Sequence, residues 1–323
     1  MTQAIALFSG GLDSMLAALI VARQNIDVLC LTFTTPFFGA AKAQDAARRI
    51  GLPLAVEDIT EAHLAMLKSP RYGFGKNMNP CIDCHTLMLK IAGDKMVQTG
   101  ADFVLTGEVM GQRPMSQTKQ SLYIVAKNSG YADYILRPLS AKLLAPIKAE
   151  REGKINRDGL LGISGRGRKD QMRLADEFGI GAYPPPAGGC LLTDPMFSAR
   201  LRDLMARGED RQLRDYELLK YGRHFRSEDG TKIIVGRNKA DNEQLRKLAQ
   251  ADDWILNMAT FAGPLVAIPG GNDSAKLLAA ALCVRYSDAP DDAEAEVVCR
   301  KGNKATTVIA RALSREACSR LML

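Results

Sequence analysis

The chain has 323 residues, of which 46% are apolar and 24% charged, and a formal net charge of +7. That length suits two domains, and that composition an ordinary soluble globular protein. No apolar run reaches the ~18 residues of a membrane span, and no basic, apolar and small-residue signal opens the chain, so no membrane partner is expected and a cytoplasmic location is the default.

Ala4 to Phe8 reads as a buried strand, Asp13 to Arg23 as a helix and Val28 to Phe33 as a second strand. A helix follows from Ala40 to Ile50, stopped by Gly51, then a strand from Leu54 to Val56 and a helix after Thr60. Next come a helix from His85 to Gln98 and a strand from Asp102 to Thr106. This rhythm predicts an α/β fold, a doubly wound and mainly parallel sheet with ligand sites beyond the carboxyl ends of its strands. "SPRYGFGKNMNP", Ser69 to Pro80, predicts a mobile surface loop, and "AYPPPAGGC" a rigid turn before Cys190. Between them, "GISGRGRKDQMR" gathers Arg166, Arg168, Lys169 and Arg173 around glycines. After Tyr221 the pattern changes, with a strand expected from Thr231 to Arg237 and no further glycine-rich phosphate loop. No internal repeat is visible.

The stretch "AIALFSGGLDSMLAALIVARQ", Ala4 to Gln24, carries the strongest chemical signal. A strand that ends in Ser9-Gly10-Gly11 and runs straight into a helix presents unpaired N–H groups at the positive end of a helix dipole, a site that suits phosphate. Gly10 and Gly11 let the backbone approach an anion, the hydroxyls of Ser9 and Ser14 can donate further hydrogen bonds, and Asp13 could hold Mg²⁺ beside a pyrophosphate. No Walker Gly-Lys-Ser/Thr follows, and a plain strand-to-helix turn would read the same on spacing alone.

SGGLDS after a first strand resembles the ATP-pyrophosphatase loop of the PP-loop superfamily. "LTGEVMGQRPMSQT", Leu105 to Thr118, resembles the matching segment of tRNA 4-thiouridine synthetases, as does "ILRPL", Ile135 to Leu139. The resemblance implies an adenine nucleotide alpha hydrolase-like fold. Ser9, Gly10, Gly11, Asp13, Ser14, Thr106, Gly107 and Gln112 would bind ATP. It implies a sulfurtransferase that adenylates a uracil carbonyl oxygen, releases pyrophosphate, and displaces AMP with sulfur.

"NPCIDCH" places Cys81 and Cys84 just before a helix, whose dipole would favour thiolates, and "AGGCLL" supplies Cys190. The residues alone leave four readings: a persulfide pair, three ligands of an iron-sulfur cluster, zinc with His85, or plain thiols. Zinc is disfavoured because His85, next to Cys84, would strain to reach the same tetrahedral site. Asn79-Pro80 resembles tRNA 2-thiouridylases, whose catalytic cysteine falls at Cys84 and whose second cysteine falls near Cys190. The three-cysteine pattern resembles the iron-sulfur branch, which implies a [4Fe-4S] cluster on Cys81, Cys84 and Cys190 and is preferred over a persulfide pair. Catalysis would then rest on Cys84, Cys190 and Asp13. Cys30, Cys283, Cys299 and Cys318 have no paired spacing and are expected to be buried or surface thiols, and His63 and His224 are assigned no chemistry.

"HFRSEDGTKIIVGRNKADNEQL", His224 to Leu245, resembles the RNA-binding domain of NFACT-type ribosome-quality-control factors. The 4-thiouridine synthetases' usual N-terminal RNA-binding extension and C-terminal rhodanese domain are not found, so this domain would supply docking. The expectation is therefore a PP-loop domain over 1–180, a connecting segment carrying Cys190 over 181–222, and a smaller α+β RNA-binding domain over 223–323. The expected function is ATP- and Mg²⁺-dependent tRNA thiolation fed by hydrosulfide or a persulfide carrier. A PP-loop ligase or amidotransferase acting on a small molecule, and a non-catalytic RNA-binding protein, are the alternatives.

Overall fold

The computed structural model describes residues 2–183, 185 and 189–323, so part of AYPPPAGGC lies outside the described residues. The chain divides into two compact units between Thr193 and Asp194.

In the first unit, β1 (Gln3–Leu7), α1 (Leu12–Ala22), β2 (Asp27–Thr34), α2 (Ala41–Ile50), β3 (Leu54–Asp58) and α3 (Thr60–Lys68) alternate. They are followed by α4 (Cys81–Thr99), β4 (Phe103–Thr106), α5 (Lys119–Ser129), β5 (Ile135–Leu136), α6 (Lys148–Arg151) and α7 (Lys169–Glu177). The strands form a five-stranded sheet in the order β3-β2-β1-β4-β5, parallel throughout. Alternate residues of β1 feed opposite faces. Ala4 and Ala6 join a core with Leu16, Ala47 and Ala175, while Ile5 joins one with Leu89, Met96 and Val125. Helices therefore cover both sides, as a buried parallel sheet requires. The chain leaves β1 in one direction and returns to β4 on its other side, so the switch point lies between the carboxyl ends of β1 and β4, where ligands of such sheets bind.

Two expectations shift. The helix expected from His85 begins earlier, at Cys81, directly after Pro80, which tolerates a helix start because its missing N–H would have no partner there. The loop from Ser69 to Pro80 is also tied down. The Asp83 carboxylate accepts hydrogen bonds from the Arg71 and Tyr72 N–H groups at 3.1 and 3.0 Å, and Met78 is buried.

The second unit holds α8 (Pro195–Ala206), α9 (Leu213–Leu218), β6 (Arg223–Arg226), β7 (Lys232–Val235), α10 (Lys239–Leu248) and β8 (Trp254–Met258). It continues with β9 (Val266–Ile268), α11 (Lys276–Arg285), β10 (Glu294–Lys301), β11 (Lys304–Arg311) and α12 (Arg315–Leu321). Its six strands form an antiparallel sheet in the order β11-β10-β8-β9-β7-β6. One face packs on α11 through Val235, Leu256, Ala279 and Cys283. The other packs Ile234 and Ala267 against Leu218 and Leu245. The segment 181–222 is thus shared: Cys190 goes with the first unit, while α8 and α9 go with the second. Arg226 of β6 pairs with Asp203 and Glu209, which fastens α8 there. Among the described residues, no helix is long and apolar enough to cross a membrane.

Candidate active site

The turn after β1 is built as a phosphate cradle. Gly10 has φ +73°, and a Cβ on it would lie 2.4 Å from the Lys42 carbonyl oxygen, so only glycine fits. Gly11 caps α1 without a side-chain hydrogen bond, which leaves the first N–H groups of the helix free to meet an anion. The Ser14 hydroxyl donates to the Gly11 carbonyl at 2.7 Å, and the Ser9 hydroxyl lies 3.4 Å from that of Ser14.

Gly107, just past β4, closes over this turn. A Cβ there would lie 2.6 Å from backbone atoms of Asp13 and Ser14. The same loop brings Gln112, whose Nε2 donates to Asp13 Oδ2 at 3.2 Å. Asp13 feels opposing effects: burial raises its pKa, while Gln112 and the Arg168 and Arg113 charges lower it, and the net shift is upward. Among the described residues its Oδ1 is buried without a close hydrogen-bond partner, with the Gln171 side chain near enough to lower its pKa. A carboxylate oxygen so placed is an uncompensated cost that a bound cation would remove. Thr106 spends its hydroxyl on Glu108 Oε2 at 3.1 Å, so it acts on the neighbouring carboxylate rather than standing free.

Glu108 links this turn to the cysteine helix. It accepts from His85 Nδ1 and from Arg137 Nε, both at 2.9 Å. Burial alone would raise its pKa, but the Arg137 charge and the His85 bond outweigh that and hold it at about 2. His85 therefore faces the nucleotide loop, and the zinc reading that used it has no geometric support.

Cys81 and Cys84 stand on the first turn of α4, inside the helix rather than ahead of it. Cys81 Sγ accepts from Asn79 Nδ2 at 3.2 Å. The three thiols are near enough to feel one another. Burial pushes the Cys84 thiol far up, and the charges of Cys190 and Cys81 push it further. Burial raises Cys190 to about 11, with Cys81 adding to the shift. Burial therefore opposes what the helix dipole would favour at Cys84, whose thiol is raised on balance. Among the described residues, no three His, Cys, Asp or Glu side chains converge on a single metal ion.

His63 was invisible to sequence reasoning. It is fully buried on α3, its ring lies 5.5 Å from those of Phe37 and Phe38, and burial lowers its pKa to about 4. Its Nε2 lies 3.5 Å from Cys84 Sγ, while Nδ1 has no partner among the described residues. A bare lone pair at Nδ1 costs less than a bare N–H, so the proton belongs on Nε2, donating to sulfur. No local pattern marks this residue, because the contact exists only through the packing of α3 on α4. His224, by contrast, is a core residue bonded to the Tyr221 carbonyl at 2.9 Å. Cys30, Cys283, Cys299 and Cys318 are all buried.

Residues 1–142 match the family model described as thiamine biosynthesis protein (ThiI), and residues 222–321 that of the NFACT protein RNA binding domain. A tRNA-specific 2-thiouridylase MnmA of Methylobacterium nodulans is 25% identical over 73% of this chain and 62% of its own length. A probable tRNA sulfurtransferase of Staphylococcus epidermidis is 29% identical over 42% of this chain and 34% of its own. The chain thus spans less than two thirds of the length of either curated relative. A solved 4-thiouridine synthetase–RNA complex with bound ATP aligns with TM-score 0.41 and 22% identity, over 67% of this chain and 52% of that one. The two family matches fall in different compact units, residues 1–142 within the first and residues 222–321 within the second.

Proposed function

We propose that the chain thiolates a uridine of tRNA at the expense of ATP. The observation that carries this reading is the His85–Glu108 bond at 2.9 Å, which fixes the cysteine-bearing start of α4 against the loop that covers the Asp13 turn. Nucleotide chemistry and sulfur chemistry then share one locus. The free N–H groups of α1 would hold the ATP phosphates, and Asp13 Oδ1 would hold Mg²⁺. A uracil carbonyl oxygen attacks the α-phosphorus and pyrophosphate leaves. Sulfur then adds to the activated carbon, and AMP departs with the former carbonyl oxygen. Adenylation is needed because oxygen alone is a poor leaving group.

The donor set suits a polynuclear iron-sulfur centre better than a single ion. Cys84 and Cys190 are each raised in part by the charge of Cys81, so the three sulfurs stand near one another, and three soft sulfur donors suit iron-sulfur chemistry. Cys81, Cys84 and Cys190 would hold such a [4Fe-4S] cluster, which supplies an open iron for hydrosulfide. The domain over 223–323 would dock the tRNA.

Purified chain, supplied with tRNA, ATP, Mg²⁺ and sulfide under anaerobic conditions, should release pyrophosphate only when tRNA is present and leave a thionucleoside detectable by mass spectrometry. Pyrophosphate release indifferent to tRNA, with no thionucleoside, would overturn the reading in favour of a small-molecule ligase.

A further inference from the structure

One exposed ridge of the first unit has no part in the chemistry above. Lys119, Tyr123 and Lys127 recur every four residues on α5, so they share one face, while Leu122, Val125 and Ala126 are buried on the other. Tyr123 is 64% exposed. The ridge continues onto the Ser69–Pro80 loop: Asn128 Nδ2 donates to the Tyr72 hydroxyl at 2.8 Å, and the Arg71 guanidinium lies 5.6 Å over the Tyr72 ring.

The sequence supplies no acidic residue to α5 or to the Ser69–Pro80 loop, although the Asp83 carboxylate accepts from the Arg71 and Tyr72 N–H groups. No Asp or Glu occurs between Glu108 and Asp133, nor between Glu61 and Asp83. Among the described residues, Arg71, Lys119 and Lys127 make no ion pair, whereas Lys90 pairs with Asp94, Lys148 with Glu152 and Arg173 with Glu177. A solvated helix gains from carboxylates three or four residues from its lysines, and α5 has none. The ridge also starts at the nucleotide loop. Thr118 ends that loop and caps α5 through its hydroxyl, which accepts from the Ser121 N–H at 3.0 Å. From Lys119 to Lys127 the face runs on for about 12 Å.

We propose that this ridge is an RNA-docking face, separate from the NFACT-type domain, that grips the strand flanking the target base. Lys119, Lys127 and Arg71 hold phosphates, and an unstacked base rests on Tyr123. This rests on the tRNA reading above, since a base delivered to the Asp13 turn must bring its neighbours over surface contiguous with that turn. Exposed aromatic rings set among cations that lack ion-pair partners suit the bases and phosphates of RNA.

The test is fluorescence anisotropy with a labelled tRNA transcript and the full chain over a range of salt. Lys119→Ala/Lys127→Ala should weaken binding about ten-fold at low salt and flatten the log–log salt slope by about 1.5. Tyr123→Ala should weaken it about ten-fold with the slope unchanged, and Tyr123→Phe should restore it. Wild-type affinity and slope in the lysine variant would overturn the docking face alone and leave the ridge to an acidic protein partner. A wild-type chain that binds no tRNA at all would overturn both this face and the tRNA reading.

Discussion

Asp13 is held half in water and half out, and the unpartnered Oδ1 gives that position its chemical meaning. Asp13→Asn keeps the shape and the Gln112 contact while removing the charge that would bind Mg²⁺. Pyrophosphate release should fall at least ~100-fold, with the melting temperature unchanged. An amide variant that turns over ATP normally would sink the assignment. Glu108 is the opposite case, a carboxylate held at about 2 in the fold against an ordinary value of 4.5. Because its folded pKa is depressed, its stabilisation is complete above about pH 4.5 and is lost as pH falls towards 2. The window corresponds to something on the order of 3 kcal/mol. Acid titration of the unfolding free energy should therefore steepen below about pH 4.5 in the wild type, and Glu108→Gln should remove that component. Equal slopes in both proteins would show the carboxylate to be energetically idle. At this scale the sequence was legible wherever the chemistry is local: Ser9 to Ser14 declare themselves because a strand, two glycines and a helix start are adjacent. It was illegible where a contact needs two helices. His63 meets Cys84 across α3 and α4, and His85 turns away from its neighbour Cys84 to reach Glu108.

Each element that matters here ends or begins at the site. β1 and β4 are neighbours in the sheet, with Leu7 opposite Thr106, so their following turns must share one space. Gly107 is the residue that allows it. In Gly107→Ala the added methyl would sit 2.6 Å from the backbone of Asp13 and Ser14, closer than atoms approach, and neither backbone can yield without moving the start of α1. We expect about 1–3 kcal/mol of destabilisation and loss of ATP binding well before the fold is lost. Calorimetric ATP titration and a thermal melt read the two effects, and undiminished ATP affinity would mean that the β4 turn stands clear of the nucleotide. The strand and helix sequence of this unit was readable from period alone, because buried parallel strands are continuous apolar runs and the helices between them are amphipathic. The start of α4 was not, since Pro80 reads as a breaker and serves as the cap. That difference moves both cysteines into the helix, where burial raises the pKa of the Cys84 thiol.

The two units have separate cores, and the division between them sets how RNA affinity can be dissected. A change of pattern after Tyr221 suggests a cut there, but amphipathic helices do not announce which core they join. Leu218 of α9 packs with Ile234, Leu245, Leu265 and Ala267, and Arg226 of β6 holds Asp203 of α8, so a chain ending at Tyr221 would keep two helices whose apolar faces have lost their sheet. A chain ending at Thr193 leaves the parallel sheet and both of its helix layers whole. The 1–193 protein should therefore melt cooperatively and bind ATP nearly as the full chain does, while the 1–221 protein exposes Tyr216, Leu218 and Leu219 and aggregates. If the second unit supplies most of the docking, tRNA affinity of the 1–193 protein should fall at least ~30-fold. The remaining affinity should still depend on salt, because the α5 ridge stays. Comparing ATP and tRNA affinities of the two truncations with those of the full chain decides the point: full-strength tRNA binding by residues 1–193 would assign docking to the first unit and leave the second another task.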